Sequence, residues 1–183
     1  MLCDRDSSAL IVVDLQDSFL APIPERDAVL HRSKFLIEIA NLIKVPILAT
    51  EQYASRMGGT TQTILERLGD APTMDKLCFS GCRNEEFWAA WESTEKTQAV
   101  IVGIETHICV TQTALDFLER GYEVFVCEDA TNARLGAHEG ALKRLRHEGV
   151  VVTHTESVAY EWLGEAGTPE FKQALDVIKR YAD

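Results

Sequence analysis

The sequence predicts an α/β fold in which one parallel sheet is covered by helices on both faces. Three observations carry the prediction. Short β-rich runs alternate with helical stretches along the chain. Several runs, ALIVV and AVIV among them, are continuously apolar, as strands buried on both faces are. Gly121 and Gly149 each follow a helical stretch and read as C-terminal stops.

Taken in order, the elements are as follows. A strand over 9–13 (ALIVV) precedes a helix over 27–43, and a strand over 45–49 precedes a helix over 61–68. A strand over 73–77 leads to a helix over 84–92, then a strand over 99–102 (AVIV) to a helix over 107–120, closed by Gly121. A strand over 123–127 (EVFVC), a helix over 136–147 closed by Gly149, and a strand over 150–153 follow. The last helix, over 169–181, takes Thr168 as N-cap and Pro169 in its first turn. No repeat, low-complexity tract or linker interrupts this alternation, so the 183 residues are read as a single domain.

Composition narrows the function classes. Hydrophobic residues make up 46% and charged residues 26%, a globular mixture. A net charge of -11 repels phosphate backbones and anionic headgroups, so nucleic acid and membrane surfaces are not expected as partners. No apolar run approaches the roughly 20 residues that span a bilayer. MLCDRDSSALIVVD lacks the features of a signal peptide, which sets a cytoplasmic location as the expectation.

Ligands of such a sheet bind at the carboxyl ends of its strands, near the switch in strand order. Asp14 ends the run ALIVVD; a carboxylate there costs desolvation unless it is paired or used, although a helix cap is the ordinary alternative. Cys109, in GIETHICVTQ, falls in the first turn of the helix after AVIV, where free N–H groups stabilise a thiolate; a small buried core residue is the alternative. Lys76, in TMDKLCFSGC, is an edge or snorkelling lysine on position alone. Near a thiol its ammonium would lower the thiol pKa.

The other cysteines have weaker cases. Cys127 reads as core, Cys78 and Cys82 flank a turn near the proposed site, and Cys3 lies in a loose terminus. Cys78 and Cys82 are not spaced as a C-x-x-C pair. The five histidines make no H-x-H or H-E-x-x-H pattern, and no G-x-G-x-x-G, P-loop or G-x-S-x-G occurs. Met57-Gly58-Gly59-Thr60 reads as a flexible turn rather than a phosphate cradle.

VVDLQDSF, a lysine before CFS, and GIETHICVTQTALDFLERGYEV together resemble the isochorismatase-like cysteine hydrolases, with the third segment the most specific. The likeness runs through EDATNAR and TESVAYEWL. TEQYASRMGGT and TPEFKQALDVIK resemble the branch of isochorismatase-domain-containing proteins. The resemblance implies a three-layer α/β/α fold with a six-stranded parallel sheet of order 3-2-1-4-5-6. It implies Asp14, Lys76 and Cys109 as catalytic residues and a cis peptide at Ile104–Glu105. The N–H groups of Glu105 and Cys109 would then form an oxyanion hole. It also implies a homo-oligomer.

Metal-dependent nicotinamidases of this superfamily carry an Asp-x-His pair after the second strand, where this chain reads Ala49-Thr50-Glu51-Gln52-Tyr53. The expectation is therefore no metal, no cofactor and a substrate other than nicotinamide. The function implied is hydrolysis of a small, non-peptide amide through a covalent intermediate on Cys109, with Asp14 moving the proton. Phe19 and Tyr53, after strand ends, are candidates for an apolar pocket wall, ordinary packing being the alternative. Two other classes compete: a non-catalytic binding or assembly module, and a redox-sensing thiol with Cys78 or Cys82 as resolving partner.

Overall fold

The computed structural model describes residues 1–182, which build one six-stranded parallel sheet in the order β3-β2-β1-β4-β5-β6. The strands are β1 (Ser8–Val13), β2 (Ile47–Gln52), β3 (Thr73–Lys76), β4 (Gln98–Ile104), β5 (Glu123–Asn132) and β6 (Val151–Thr153). The helices are α1 (Asp17–Leu20), α2 (Arg26–Ile43), α3 (Ala54–Met57), α4 (Gln62–Leu68), α5 (Glu85–Ser93), α6 (Thr111–Glu119), α7 (His138–Glu148), α8 (Thr155–Leu163) and α9 (Pro169–Arg180). No helix among the described residues is long and apolar enough to cross a membrane.

Alternation along the central strands splits the core into two layers. Leu10 and Val12 of β1, with Val100, Val102 and Ile104 of β4, pack against α2, α4, α8 and α9. Ala9, Ile11 and Val13, with Ala99 and Ile101, pack against α5, α6 and α7. Both strands are buried throughout, the physical reason that their sequences are unbroken apolar runs. The order reverses between β1 and β4, whose carboxyl ends face the crevice where α/β sheets bind ligands. Gly103 closes that seam: its φ is 117°, and a Cβ there would collide with the backbone of Val13.

Several boundaries differ from expectation, each for a local reason. β2 starts after Pro46 and runs on to Gln52, because its polar end Thr50-Glu51-Gln52 is spent on the site rather than on solvent. The helix expected over 107–120 is divided: a π-helical turn over Thr106–Val110 precedes α6. There the Glu105 carbonyl accepts from both Ile108 and Val110. α8 was not expected. Its N-terminal cap comes from a distant strand: Asp129 accepts from the Thr155 N–H at 2.9 Å and from its hydroxyl at 2.6 Å. α9 matches its reading, with Thr168 accepting from the Phe171 N–H and Pro169 at the start. Cys3 does not lie loose: it is 1% exposed, and its N–H donates to Glu161 of α8 at 2.6 Å.

Four buried thiols make an alkaline prediction. Burial pushes Cys3 and Cys82 up to about 12, and raises Cys109 and Cys127 well above their ordinary value. Unfolded, each ionises near its ordinary pKa of about 8.5. Below that value both states hold the proton and stability is unaffected. Above it the unfolded chain holds fewer protons, so stability falls by about 1.4 kcal/mol per pH unit per thiol until the folded pKa is passed. Urea midpoints should therefore drop between about pH 9 and 11, and Cys127→Ala should reduce the slope by one proton. An unchanged slope in that variant would refute the assignment.

Candidate active site

The site begins with Asp14, the first residue past β1. Its φ of 50° is left-handed, a conformation that aspartate tolerates better than most residues. Its side chain, 1% exposed, accepts from the Thr50 hydroxyl at 2.7 Å and from Lys76 Nζ at 2.8 Å. Lys76 ends the edge strand β3, two strands away from β1. Its extended stem spans the gap, and on the way Nζ donates to Gln52 Oε1 of the intervening β2 at 2.7 Å. Register explains the meeting, since Gln52 lies opposite Lys76 and Thr50 opposite Val13.

Cys109 sits in the π-helical turn, 7% exposed, with Sγ 4.0 Å from Gln52 Oε1. Its thiol pKa is raised, first by burial and then by the neighbouring Asp14, with Lys76 opposing. This corrects the expectation of a thiolate stabilised at a helix start: desolvation and the nearer carboxylate outweigh the ammonium. The Ile104–Glu105 peptide is cis, as the resemblance implies.

Asp14 and Cys109 open onto a cavity of about 410 Å³. Phe19 of α1 lines it, together with Phe79, Ile104 and Ile108, so most of the wall is apolar. Tyr53 does not line it; it precedes α3 and is 42% exposed. Lys76 lies behind Asp14 rather than on the wall. Glu105, 7% exposed, lines the cavity and pairs with Arg134, which follows β5. The Arg134 N–H and guanidinium Nε both donate to the Glu105 carboxylate at 3.0 Å, and the bond raises the arginine pKa. Cys78 and Cys82 are not on the wall; Cys82 is 2% exposed and donates to the Thr113 carbonyl at 3.6 Å.

Five polar residues of the site were missed from sequence: Gln16, Thr50, Gln52, Gln112 and Arg134. Gln16, fully buried, accepts from the Gln52 N–H at 2.6 Å and donates to the carbonyls of Gln52 and Gly58, tying the ends of β1 and β2 to the 57–60 loop. Glu51 holds the same loop through the Thr60 N–H and hydroxyl, so it is braced rather than free. The signal that singled out Asp14, a polar residue ending a buried strand, applies equally to Thr50 and Gln52. Arg134 opens a short 3-10 turn after β5 and had no such signal. Among the described residues, no group of three or more His, Cys, Asp or Glu is placed to hold a metal.

A buried thiol, carboxylate and ammonium lie near the switch point of a parallel sheet, the carboxylate and ammonium at strand ends and the thiol in the turn after β4. Comparison with known proteins gives the family. The profile of the isochorismatase domain matches residues 8–157, and the chain belongs to the isochorismatase family, with its hydrolase fold. It is 36% identical over 180 residues to the secreted isochorismatase effector Isc1 of Phytophthora sojae, covering 96% of this chain and 86% of that protein. The MAR1 ribonuclease of Caenorhabditis elegans superposes with a TM-score of 0.92 at 32% identity, covering 98% of this chain and 93% of that one. YcaC from Pseudomonas aeruginosa, solved with hexane-2,5-diol and covalent acrylamide, gives a TM-score of 0.89 at 25% identity over 99% and 94% of the two chains.

Proposed function

We propose that this protein hydrolyses a small amide through a covalent intermediate on Cys109, with no metal. One observation carries the reading: a buried thiol on the wall of a largely apolar cavity that it shares with a carboxylate whose far side is held by a buried lysine. Because the thiol is protonated at rest, attack needs a base, and Asp14 is the adjacent one. As Sγ bonds to the carbonyl carbon, Asp14 takes the thiol proton. The oxyanion is received by the N–H groups of Glu105 and Cys109. The Glu105 N–H has no acceptor among the described residues, which supports that role. Collapse breaks the C–N bond while Asp14 returns the proton to the departing nitrogen, leaving a thioester. Water, deprotonated by Asp14, then attacks the thioester; the acid leaves and the thiol is restored. Lys76 balances the Asp14 charge throughout.

Two features favour a small amide over RNA, despite the name of the Caenorhabditis relative: the net charge of -11, and a carboxylate at the centre of the site. The absence of Cys78 and Cys82 from the cavity wall weighs against a redox pair with Cys109. The covalent acrylamide in the Pseudomonas relative supports a reactive side chain on this fold.

The test has two arms. Primary amides should release ammonia, and hydroxylamine should intercept the thioester as a hydroxamate, both unaffected by exhaustive chelation. Acrylamide, itself an amide that the cavity can seat beside Asp14 as base, should add across its double bond to Cys109 ahead of the other four thiols, despite the raised pKa of this one. Even labelling of the five, with no ammonia from any amide, would refute the reading; activity lost on chelation and restored by zinc would refute its metal independence.

A further inference from the structure

We propose that the pocket selects an amide with no net charge and an apolar body, and discriminates against amides that carry a carboxylate. The inference rests on the amide-hydrolase reading for its substrate class, but its physical basis is the charge balance of the cavity wall. Among the described residues, three charged side chains line the cavity: Asp14, Glu105 and Arg134. Each is already matched. Asp14 is bonded to Lys76 at 2.8 Å, and Glu105 is bonded to Arg134 at 3.0 Å. The thiol is neutral at rest. The wall itself carries two carboxylates and one guanidinium, and the charge reaches zero only through Lys76 buried behind Asp14, so no cation is left to receive a substrate carboxylate.

Arg134 is the group that would otherwise be taken for an acid-binding residue. Its backbone N–H, Nε and Nη2 are committed to Glu105. Nη1 has no partner among the described residues, and it suits a neutral carbonyl or hydroxyl, which needs a donor but no countercharge. A carboxylate in the cavity would lose its hydration and meet Glu105 and Asp14 as well as Arg134. Phe19, Phe79, Ile104 and Ile108 instead offer contact to an apolar body. The chain's net charge of -11 adds a long-range bias against anions.

The experiment measures binding without chemistry, in Cys109→Ala protein, using isosteric pairs that differ in charge: succinamide against succinamate, and terephthalamide against 4-carbamoylbenzoate. Each neutral member should bind at least about tenfold tighter than its carboxylate partner. Equal affinity, tighter carboxylate binding, or no binding by any of the four would overturn the proposal. Glu105→Gln in the same background leaves the Arg134 charge unmatched, so the carboxylates should gain about tenfold relative to the neutral amides; an unchanged ratio would overturn the role given to the ion pair. If that variant does not fold, Arg134→Gln supplies the opposite sign: Glu105 is left unmatched and the gap should widen, and a gap that stays the same overturns it. Failure of the hydrolase reading is distinct. Wild-type protein that binds neutral amides selectively but releases no ammonia would refute hydrolysis and leave the charge selectivity standing.

Discussion

Lys76→Met is expected to cost about 3–5 kcal/mol of stability and to stop turnover. The side chain is fully buried and its ammonium is bonded to an equally buried Asp14. Removing it leaves a carboxylate in a low-dielectric site with Thr50 as its remaining bonded side chain. That loss is a large fraction of the roughly 5–15 kcal/mol that holds a domain together. Adding Asp14→Asn should recover much of it, because the unpaired charge goes, so the double variant should be more stable than Lys76→Met alone. Urea unfolding of the two singles and the double measures the coupling. A cost below 1 kcal/mol for Lys76→Met would mean that the pair is not an ion pair of consequence.

Cys109→Ala should lower turnover by about four to six orders of magnitude while leaving the fold intact. The side chain is small and its sulfur borders a cavity, so truncation removes the proposed nucleophile and little packing. Asp14→Asn separates base from nucleophile. Asp14 raises the Cys109 pKa, so its loss should move the alkylation profile of the thiol to lower pH, yet the variant should still fail to turn over. Lys76→Met should move the same profile upward, since the lysine opposes that rise. A Cys109→Ala protein that keeps a tenth of wild-type activity would end the case for this thiol.

Much of this was legible in the sequence, for reasons particular residues show. β1 and β4 are buried on both faces, so unbroken apolar runs marked them and, with them, the end of β1 where Asp14 lies. The sheet order came from family resemblance, and so did the placing of Lys76 in one site with Asp14 and Cys109, since two strand spacings between β3 and β1 would not bring Lys76 to Cys109. The structure supplies the physical reason: a long stem crossing over β2, with Gln52 as a waypoint. What stayed hidden depends on partners remote in the chain. α8 is capped by Asp129, 26 positions earlier, and Arg134 gains meaning through Glu105, 29 positions away. The direction of the Cys109 pKa was hidden too, because it is decided by three-dimensional burial rather than by the turn that carries the thiol.

The span of Lys76 from β3 to β1 has a consequence beyond chemistry. β3 is a four-residue edge strand, the kind of element that frays before a sheet's centre does. Its last residue is nonetheless a spoke fastened to the hub. If the rim lifts, Asp14 loses its countercharge, and the thiol loses the one neighbour that eases its ionisation. The rim and the hub are thus mechanically joined: lifting β3 would draw the lysine away from Asp14 before the central strands part. The Lys76→Met protein removes that fastening, and amide exchange in β3 should quicken in it relative to β1.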